Sequence, residues 1–346
     1  MKLSFFGDVY LADDCAFSNV DMSKYAPYVY NFEYAYYSEE HPHALHKILL
    51  KSTADVTRTF SPLPAAVNIN NNHIFDFADE GLKSTMGYLK QTGVPFFGSG
   101  AQEDNCNNPC VVEFGGKKIA LLGYYHRNRD ISNNELKQAL FSQEQFLQDM
   151  QTCRSLGVDL VIPSVHWGVE DSPVYTKMQQ EAAHFMVDNG ADLVIGHHPH
   201  CIQPWEKYND KYIFYSLGNF LFENVYTKSR YTDEDHYSCM NCKRWHKWHR
   251  ESLGVSFDLD TKEVELHLMY QGKNTIKERK LSSEEVFKKY ATVKFSTAKT
   301  LLRKLISSFS SFVFFKGHII YWPGIREELK LLYDIHVVNK SWKFSE

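Results

Sequence analysis

Residues 159–165 read Asp-Leu-Val-Ile-Pro-Ser-Val (DLVIPSV), a continuous apolar run that ends one residue before His166. A strand with one face in water alternates polar and apolar side chains, whereas a strand covered on both faces does not. The run therefore predicts a buried strand of an α/β fold. Further along, Val174 to Asn189 reads as a helix stopped by Gly190, a C-cap glycine. Asp192–Ile195 (DLVI) then reads as a second buried strand. Strand, helix and strand in that order predict a sheet with helices on its faces.

The same alternation extends in both directions. Upstream, a helix over Ser142–Leu156 leads into the central run. Val111–Phe114 and Ile119–Gly123 read as strands joined at Gly115-Gly116, a hairpin signal. Lys2–Phe6, Ala65–Ile69 and Val94–Phe97 read as further strands, with a helix near Glu80–Thr92. Downstream, strands at Cys201–Tyr208 and Tyr212–Ser216 flank Asn209-Asp210. Gly254–Leu259 and Glu263–Tyr270 alternate around Asp260-Thr261 as an antiparallel hairpin. After residue 274 the character changes to lysine-rich stretches, an aromatic segment at Phe309–Trp322 and a short helix near Ile325–Leu332. The expected organisation is one domain over 1–274 and a C-terminal helical extension over 275–346.

Composition narrows the function. The chain has 346 residues, enough to bury a sizeable core. A net charge of -4 supplies no basic field, so a nucleic-acid partner is not expected. Aromatic residues make up 15%, which suits a large core or a sugar- or peptide-binding cleft. The 7 cysteines lack the regular spacing of a disulfide framework. MKLSFFGDVYL at the start runs into a strand without the apolar region and cleavage site of a secretion signal. No window of about 18 apolar residues predicts a transmembrane span. The expected location is cytoplasmic.

Four segments place polar or metal-capable residues just after apolar strands, where α/β sheets bind ligands. Asp8 follows Phe5-Phe6-Gly7; by itself such an aspartate is usually a turn or helix cap. Asn68, Asn70, Asn71, Asn72 and His73 follow a buried strand; a tight turn explains asparagines, but an amide oxygen can also bind a cation and the histidine can exchange protons. His166 ends the DLVIPSV run, with Glu170 four residues on; alone it reads as a packed core histidine or as a ligand. His197-His198-Pro199-His200 places three imidazoles in four positions after a strand and a glycine. That density points to a metal, since neutral imidazoles ligate zinc, iron and manganese.

Taken in order, Gly7-Asp8, Asn31-Phe32-Glu33, Asn71-Asn72-His73, His166-Trp167-Gly168-x-Glu170, Gly196-x-His198-Pro199-His200 and Ser216-Leu217-Gly218-Asn219-Phe220 resemble the CapA family of capsule and poly-gamma-glutamate synthesis proteins. That family is related to the calcineurin-like metallophosphatases, and the resemblance covers about residues 2–270. It implies a four-layer α/β/β/α sandwich with a site for two divalent metal ions, manganese, zinc or iron. Asp8, Glu33, Asn72, His166, His198 and His200 would be ligands. His73 would protonate a leaving group, and Asn31, Glu170 and Asn219 would contact substrate. The activity implied is metal-dependent hydrolysis of a phosphoester or amide in capsular polysaccharide or poly-gamma-glutamate synthesis, on a polymer, oligosaccharide or peptide intermediate. The first motif differs from phosphatase relatives, which carry Asp-x-His where this chain has Asp8-Val9-Tyr10. That difference motivates the alternative of a non-catalytic metal-binding accessory or scaffold protein in a polymer-synthesis complex.

Two smaller signals remain. Cys239, Cys242, His246 and His249 could form a structural zinc site, or the segment is an insertion packed near the cleft mouth. Leu301–Trp322 sets Lys and Arg beside an apolar face, which suits packing on the core or peripheral contact with a membrane surface.

Overall fold

The computed structural model describes residues 1–39, 48–101, 106, 109–126, 135–231, 237–243 and 245–291, with short strands Phe314–Phe315 and His318–Ile319. Between 226 and 243, and in those two short strands, it describes the backbone alone. The main strands in chain order are β1 Lys2–Tyr10, β2 Tyr28–Phe32, β3 Ala66–Asn68, β4 Phe96–Phe97, β5 Cys110–Phe114, β6 Lys117–Tyr125, β7 Leu160–His166, β8 Leu193–His197, β9 Trp205–Tyr208, β10 Lys211–Phe214, β11 Asn219–Phe222, β12 Glu251–Asp258, β13 Val264–Gln271 and β14 Ile276–Glu278. The main helices are α1 Ala78–Thr92, α2 Gln143–Ser155, α3 Lys177–Asp188 and α4 Ser283–Tyr290.

These strands form two large sheets. One runs β14-β13-β12-β1-β2-β3-β4, with β11 pairing the later part of β1; the other runs β5-β6-β7-β8-β10-β9. The mixed α/β class expected from the sequence is therefore present. Alternate side chains of each strand go to opposite faces. Leu3, Phe5, Val255 and Phe257 of the first sheet share one apolar cluster with Leu121, Ile162, Ile195 and Phe214 of the second. Their neighbours face the other way. Leu122, Val161 and Val165 pack with Phe146 and Met150 of α2 and Met186 of α3. Phe6, Tyr28 and Tyr30 join a cluster with Leu82, Met86 and Leu89 of α1. Double-sided burial is the physical reason for the unbroken run in β7, whose seven residues are all buried.

Local chemistry sets the helix ends. Ser142 accepts the Gln145 N–H to start α2, and Gly93, in the left-handed region, ends α1. The helix expected from Val174 begins only at Lys177. Thr176 is extended there and forms a reciprocal capping box with Gln179. The strand expected from Cys201 begins only at Trp205, because Pro204 has no N–H to pair and Gln203 turns its amide to the carbonyls of Ser172 and Val174. Residues 276–290, expected to open a separate extension, continue the first domain instead. β14 pairs with β13, and Val286 of α4 is buried in the cluster between the sheets. The expected helix near 325–332 and most of 301–322 lie outside the described residues. Among the described residues, no helix is long and apolar enough to cross a membrane.

Candidate functional site

Strand register gathers the polar residues. Asp8 is level with Asn31 and with Asn219 on its two sides, and Asn31 is level with Asn68. In the second sheet, Tyr125, His166 and His197 form one row. Two glycines let backbones close in at these ends. A Cβ on Gly7 would lie 1.7 Å from the Gly218 carbonyl oxygen, and one on Gly196 would lie 2.1 Å from that of Tyr215. Beyond Gly196 the chain turns sharply. His198 and His200, on either side of Pro199, have φ of 97 and 56. For residues with a Cβ this region costs about 1–3 kcal/mol each, and such strain persists where surrounding structure imposes it.

Asp8, Asn31 and Glu33 are fully buried, and His166, His198 and His200 are buried with them. Asn31 donates to Asp8 Oδ1 at 2.9 Å and to Glu33 Oε2 at 3.2 Å. His200 Nδ1 lies 3.5 Å from Asp8 Oδ2, and His200 Nε2 lies 3.6 Å from Glu33 Oε1. His166 Nε2 is 2.8 Å from Asn72 Oδ1, 3.0 Å from His198 Nδ1 and 3.7 Å from Glu33 Oε1. Asn219 Oδ1 is 2.9 Å from His200 Nδ1. Six residues expected as ligands, from five separated segments, thus converge with Asn31 and Asn219. Two triads among them, Glu33–His166–His198 and Asp8–Glu33–His200, each have ligand atoms within 4.8 Å of one another. Hard carboxylate oxygens mixed with imidazoles suit zinc, manganese or iron. Asn31 Oδ1 is also buried with no hydrogen-bond partner among the described residues.

The electrostatics favour ligand forms. Burial alone would raise the Asp8 carboxyl, but hydrogen bonds and charge from His197 and His200 hold it well below the usual carboxylate range. Burial, and then repulsion by His198, push His166 well below the usual imidazole value, so it stays neutral. A carboxylate and a neutral imidazole are the protonation states a cation needs.

A cleft of about 160 Å³ opens beside this cluster, lined by Asn72, His73, Glu170 and His200 and walled by Phe222 and Trp245. His73 and Glu170 therefore stand at the cleft rather than in the buried cluster. His73 Nδ1 is 2.7 Å from Asp76 Oδ2, which also accepts the Leu50 N–H at 2.8 Å. Asn71 turns inward, its Oδ1 accepting the His73 N–H at 2.9 Å. Asp76 was not expected as a site residue, though its place three residues after His73 is a signal. His197, one of the three clustered imidazoles but outside the implied ligand set, sits 3.2 Å from Asp8 Oδ1 and 3.1 Å from Ser164 Oγ. The Cys239 and Cys242 side chains lie outside the described residues. His249 is engaged elsewhere, 2.8 Å from Asp171 Oδ1, and its ring packs with Trp245 at the cleft mouth.

Comparison with known proteins adds sequence kinship to this geometry. A family model described as bacterial capsule synthesis protein PGA_cap matches residues 17–224, a stretch that holds every residue of the two triads except Asp8. The chain is 28% identical over 222 residues to the capsule biosynthesis protein CapA of Bacillus anthracis, covering 59% of this chain and 54% of that one. It is 30% identical over 202 residues to the PGA biosynthesis protein CapA of Bacillus subtilis (strain 168), covering 56% and 52%. The chain thus spans about half the length of these curated relatives. Among solved structures, the sulfate thiohydrolase SoxB of Thermus thermophilus, in complex with glycerol, aligns with 76% of this chain and 44% of its own at 11% identity. Its TM-score of 0.33 is too low to carry an argument.

Proposed function

The chain belongs to the bacterial capsule synthesis protein family, and from that premise we propose that it is a metal-dependent hydrolase of cell-surface polymer synthesis. Its substrate would be a phosphoester or amide in a capsular polysaccharide or poly-gamma-glutamate intermediate. The observation that carries the reading is the buried Glu33 carboxylate shared by two donor triads. Two fully buried carboxylates amid imidazoles are costly to maintain without a cation to face them.

In this reading Glu33, His166, His198 and the Asn72 amide oxygen would hold one divalent ion, and Asp8, Glu33 and His200 a second. Bound ions supply Lewis acidity and make water nucleophilic near neutral pH. The chain's own groups do the rest. Asp76 fixes the His73 ring through Nδ1, which favours the tautomer protonated there and makes Nε2 the basic atom. Nε2 would first take up a proton, the Asp76 carboxylate stabilising the imidazolium so formed, and that Nε2–H would be the proton given to the leaving group. Asn31 orients both carboxylates, Asn219 orients His200, and Glu170 meets substrate at the cleft. The apolar wall of Phe222 and Trp245 keeps bulk water from one side. The fold proposed to carry this site is the four-layer α/β/β/α sandwich, supported by the core shared between the sheets and the helices packed on their other faces.

One observation favours a second reading. Where phosphatase relatives carry the histidine of Asp-x-His, Tyr10 is buried in the apolar cluster against Tyr34 and Phe222. A site short of that residue could hold metal as part of an accessory protein in a polymer-synthesis complex without turnover. Elemental analysis of purified protein beside Asp8→Ala and His198→Ala, with turnover measured on phosphoester and γ-glutamyl amide panels, separates the readings. Stoichiometric metal lost in both variants, with turnover lost in His73→Ala, is the expected result. Tight metal without turnover on either panel would favour the accessory role. Protein that holds no metal, and whose activity ignores chelator, would sink both.

A further inference from the structure

Residues 222–225 line two cavities at once. Phe222 and Val225 border the cleft beside His73 and His200, while Glu223 and Asn224 line a second cavity of about 350 Å³. Trp245 braces the wall between them. Its ring lies 5.1 Å from that of His200, its indole N–H donates to the Glu223 carbonyl at 2.8 Å, and its backbone N–H donates to Asn224 Oδ1 at 3.1 Å. Gln271, buried in the second cavity's lining, fastens the same wall. It accepts the Phe222 N–H at 2.9 Å and donates to the Phe222 carbonyl at 3.1 Å.

The second cavity is rich in donors. Arg250, half-buried, and Lys273, exposed, both line it. Among the described residues neither has a carboxylate within ion-pair distance, whereas nearby Arg279 and Lys289 both reach Glu251. The carboxylate in the lining, Glu223, is committed to the Ala12 and Ala16 N–H groups at 2.8 and 3.1 Å. The Trp245 N–H holds Asn224 by Oδ1, and the same side chain carries an NH2 donor. A guanidinium fork, an ammonium and an amide donor select an oxyanion, and Phe17 and Tyr270 add apolar surface beside it. The volume lies within the ordinary range for small-ligand pockets.

We propose that this second cavity binds a carboxylate or phosphate carried by an acidic polymer whose scissile bond lies in the neighbouring cleft, with Arg250 and Lys273 as its anion-holding residues. The role of the cleft rests on the metal-site reading above; binding at the second cavity can be measured apart from it. The test titrates a γ-linked glutamate tetramer and, separately, inorganic phosphate into the full chain by calorimetry. The proteins compared are wild type, Arg250→Glu/Lys273→Glu, the neutral pair Arg250→Gln/Lys273→Gln, and His198→Ala. At least one probe should bind wild type, weaken as salt is added, and bind both paired variants about tenfold or more weakly. Those variants should keep wild-type metal content and melting temperature. The His198→Ala variant should lose metal but keep probe binding. Loss of tetramer binding assigns a carboxylate chain, and loss of phosphate binding a phosphate-bearing one. Wild type that binds neither probe, paired variants that bind as wild type does, or binding that vanishes in His198→Ala would overturn the proposal. Wild type without metal would refute the metal site alone.

Discussion

Replacing Gly7 with alanine should damage the site from a position that makes no side-chain contact at all. The added methyl would fall 1.7 Å from the Gly218 carbonyl oxygen and 2.8 Å from its carbon, both backbone atoms. Carbon and carbonyl oxygen ordinarily stay about 3.3 Å apart, so β1 and the 216–219 segment must part by roughly 1.5 Å. That separation strains the Asp8 N–H bond to Gly218, now 3.0 Å, and the pairing of Asp8 with Asn219. Losing one buried hydrogen bond costs about 1 kcal/mol, and overpacking costs about 1–3 kcal/mol. The expected destabilisation is therefore about 2–4 kcal/mol, with Asp8 and Asn219 displaced from His200. Urea unfolding measures the first effect and elemental analysis the second. Gly87 in α1 is the control. It is exposed, a Cβ there meets nothing within 4 Å, and Gly87→Ala should gain up to about 1 kcal/mol. A Gly7→Ala protein with wild-type midpoint and metal content would refute the close-approach argument.

Other outcomes follow from the same contacts. Asn68 donates to Ser164 Oγ at 3.1 Å and accepts the Asn70 N–H at 2.9 Å; Asn68→Ala should cost about 1–3 kcal/mol in urea unfolding, and an unchanged midpoint would show that the network is slack. Asp76→Asn should leave metal content intact but lower turnover about 100-fold or more by losing the tautomer control of His73; unchanged turnover would remove His73 from proton transfer. Metal-free protein should lose stability as pH falls below about 6.5. Burial holds His126 and His166 below the usual imidazole value in the fold, so the unfolded chain takes up protons first. That stabilisation is complete above the unfolded value and is lost as pH descends through the folded ones. Asp8, also lowered, adds its loss only below about pH 4. Melting temperatures that hold or rise between pH 7.5 and 5.5 would contradict this sign.

Different parts of the molecule were legible to different degrees. β7 and β8 could be read because burial on both faces leaves an unbroken apolar run, and α2 because Ser142 caps it. The His198-Pro199-His200 segment announced itself by imidazole density. Asp8, Asn31 and Glu33 did not, because what unites them is strand register between distant segments, and they became readable only as members of an ordered motif set. β2 and β11 are not legible as strands, being short runs, one interrupted by Asn31 and the other opening on Asn219. The charged residues of β14 conceal its pairing with β13. His197 and Asp76 act through partners that sequence does not display, Asp8 and His73, although the three-residue spacing of His73 and Asp76 places both in one turn.

Anomalous diffraction from crystals of the full chain, grown with manganese, zinc or iron and recorded at each absorption edge, bears most directly on the metal site. Peaks should lie between Glu33, His166 and His198 and between Asp8, Glu33 and His200, and both should vanish in a Glu33→Gln crystal of the same form. Density confined to other residues, or no anomalous signal among these five side chains at any of the three edges, would contradict the account.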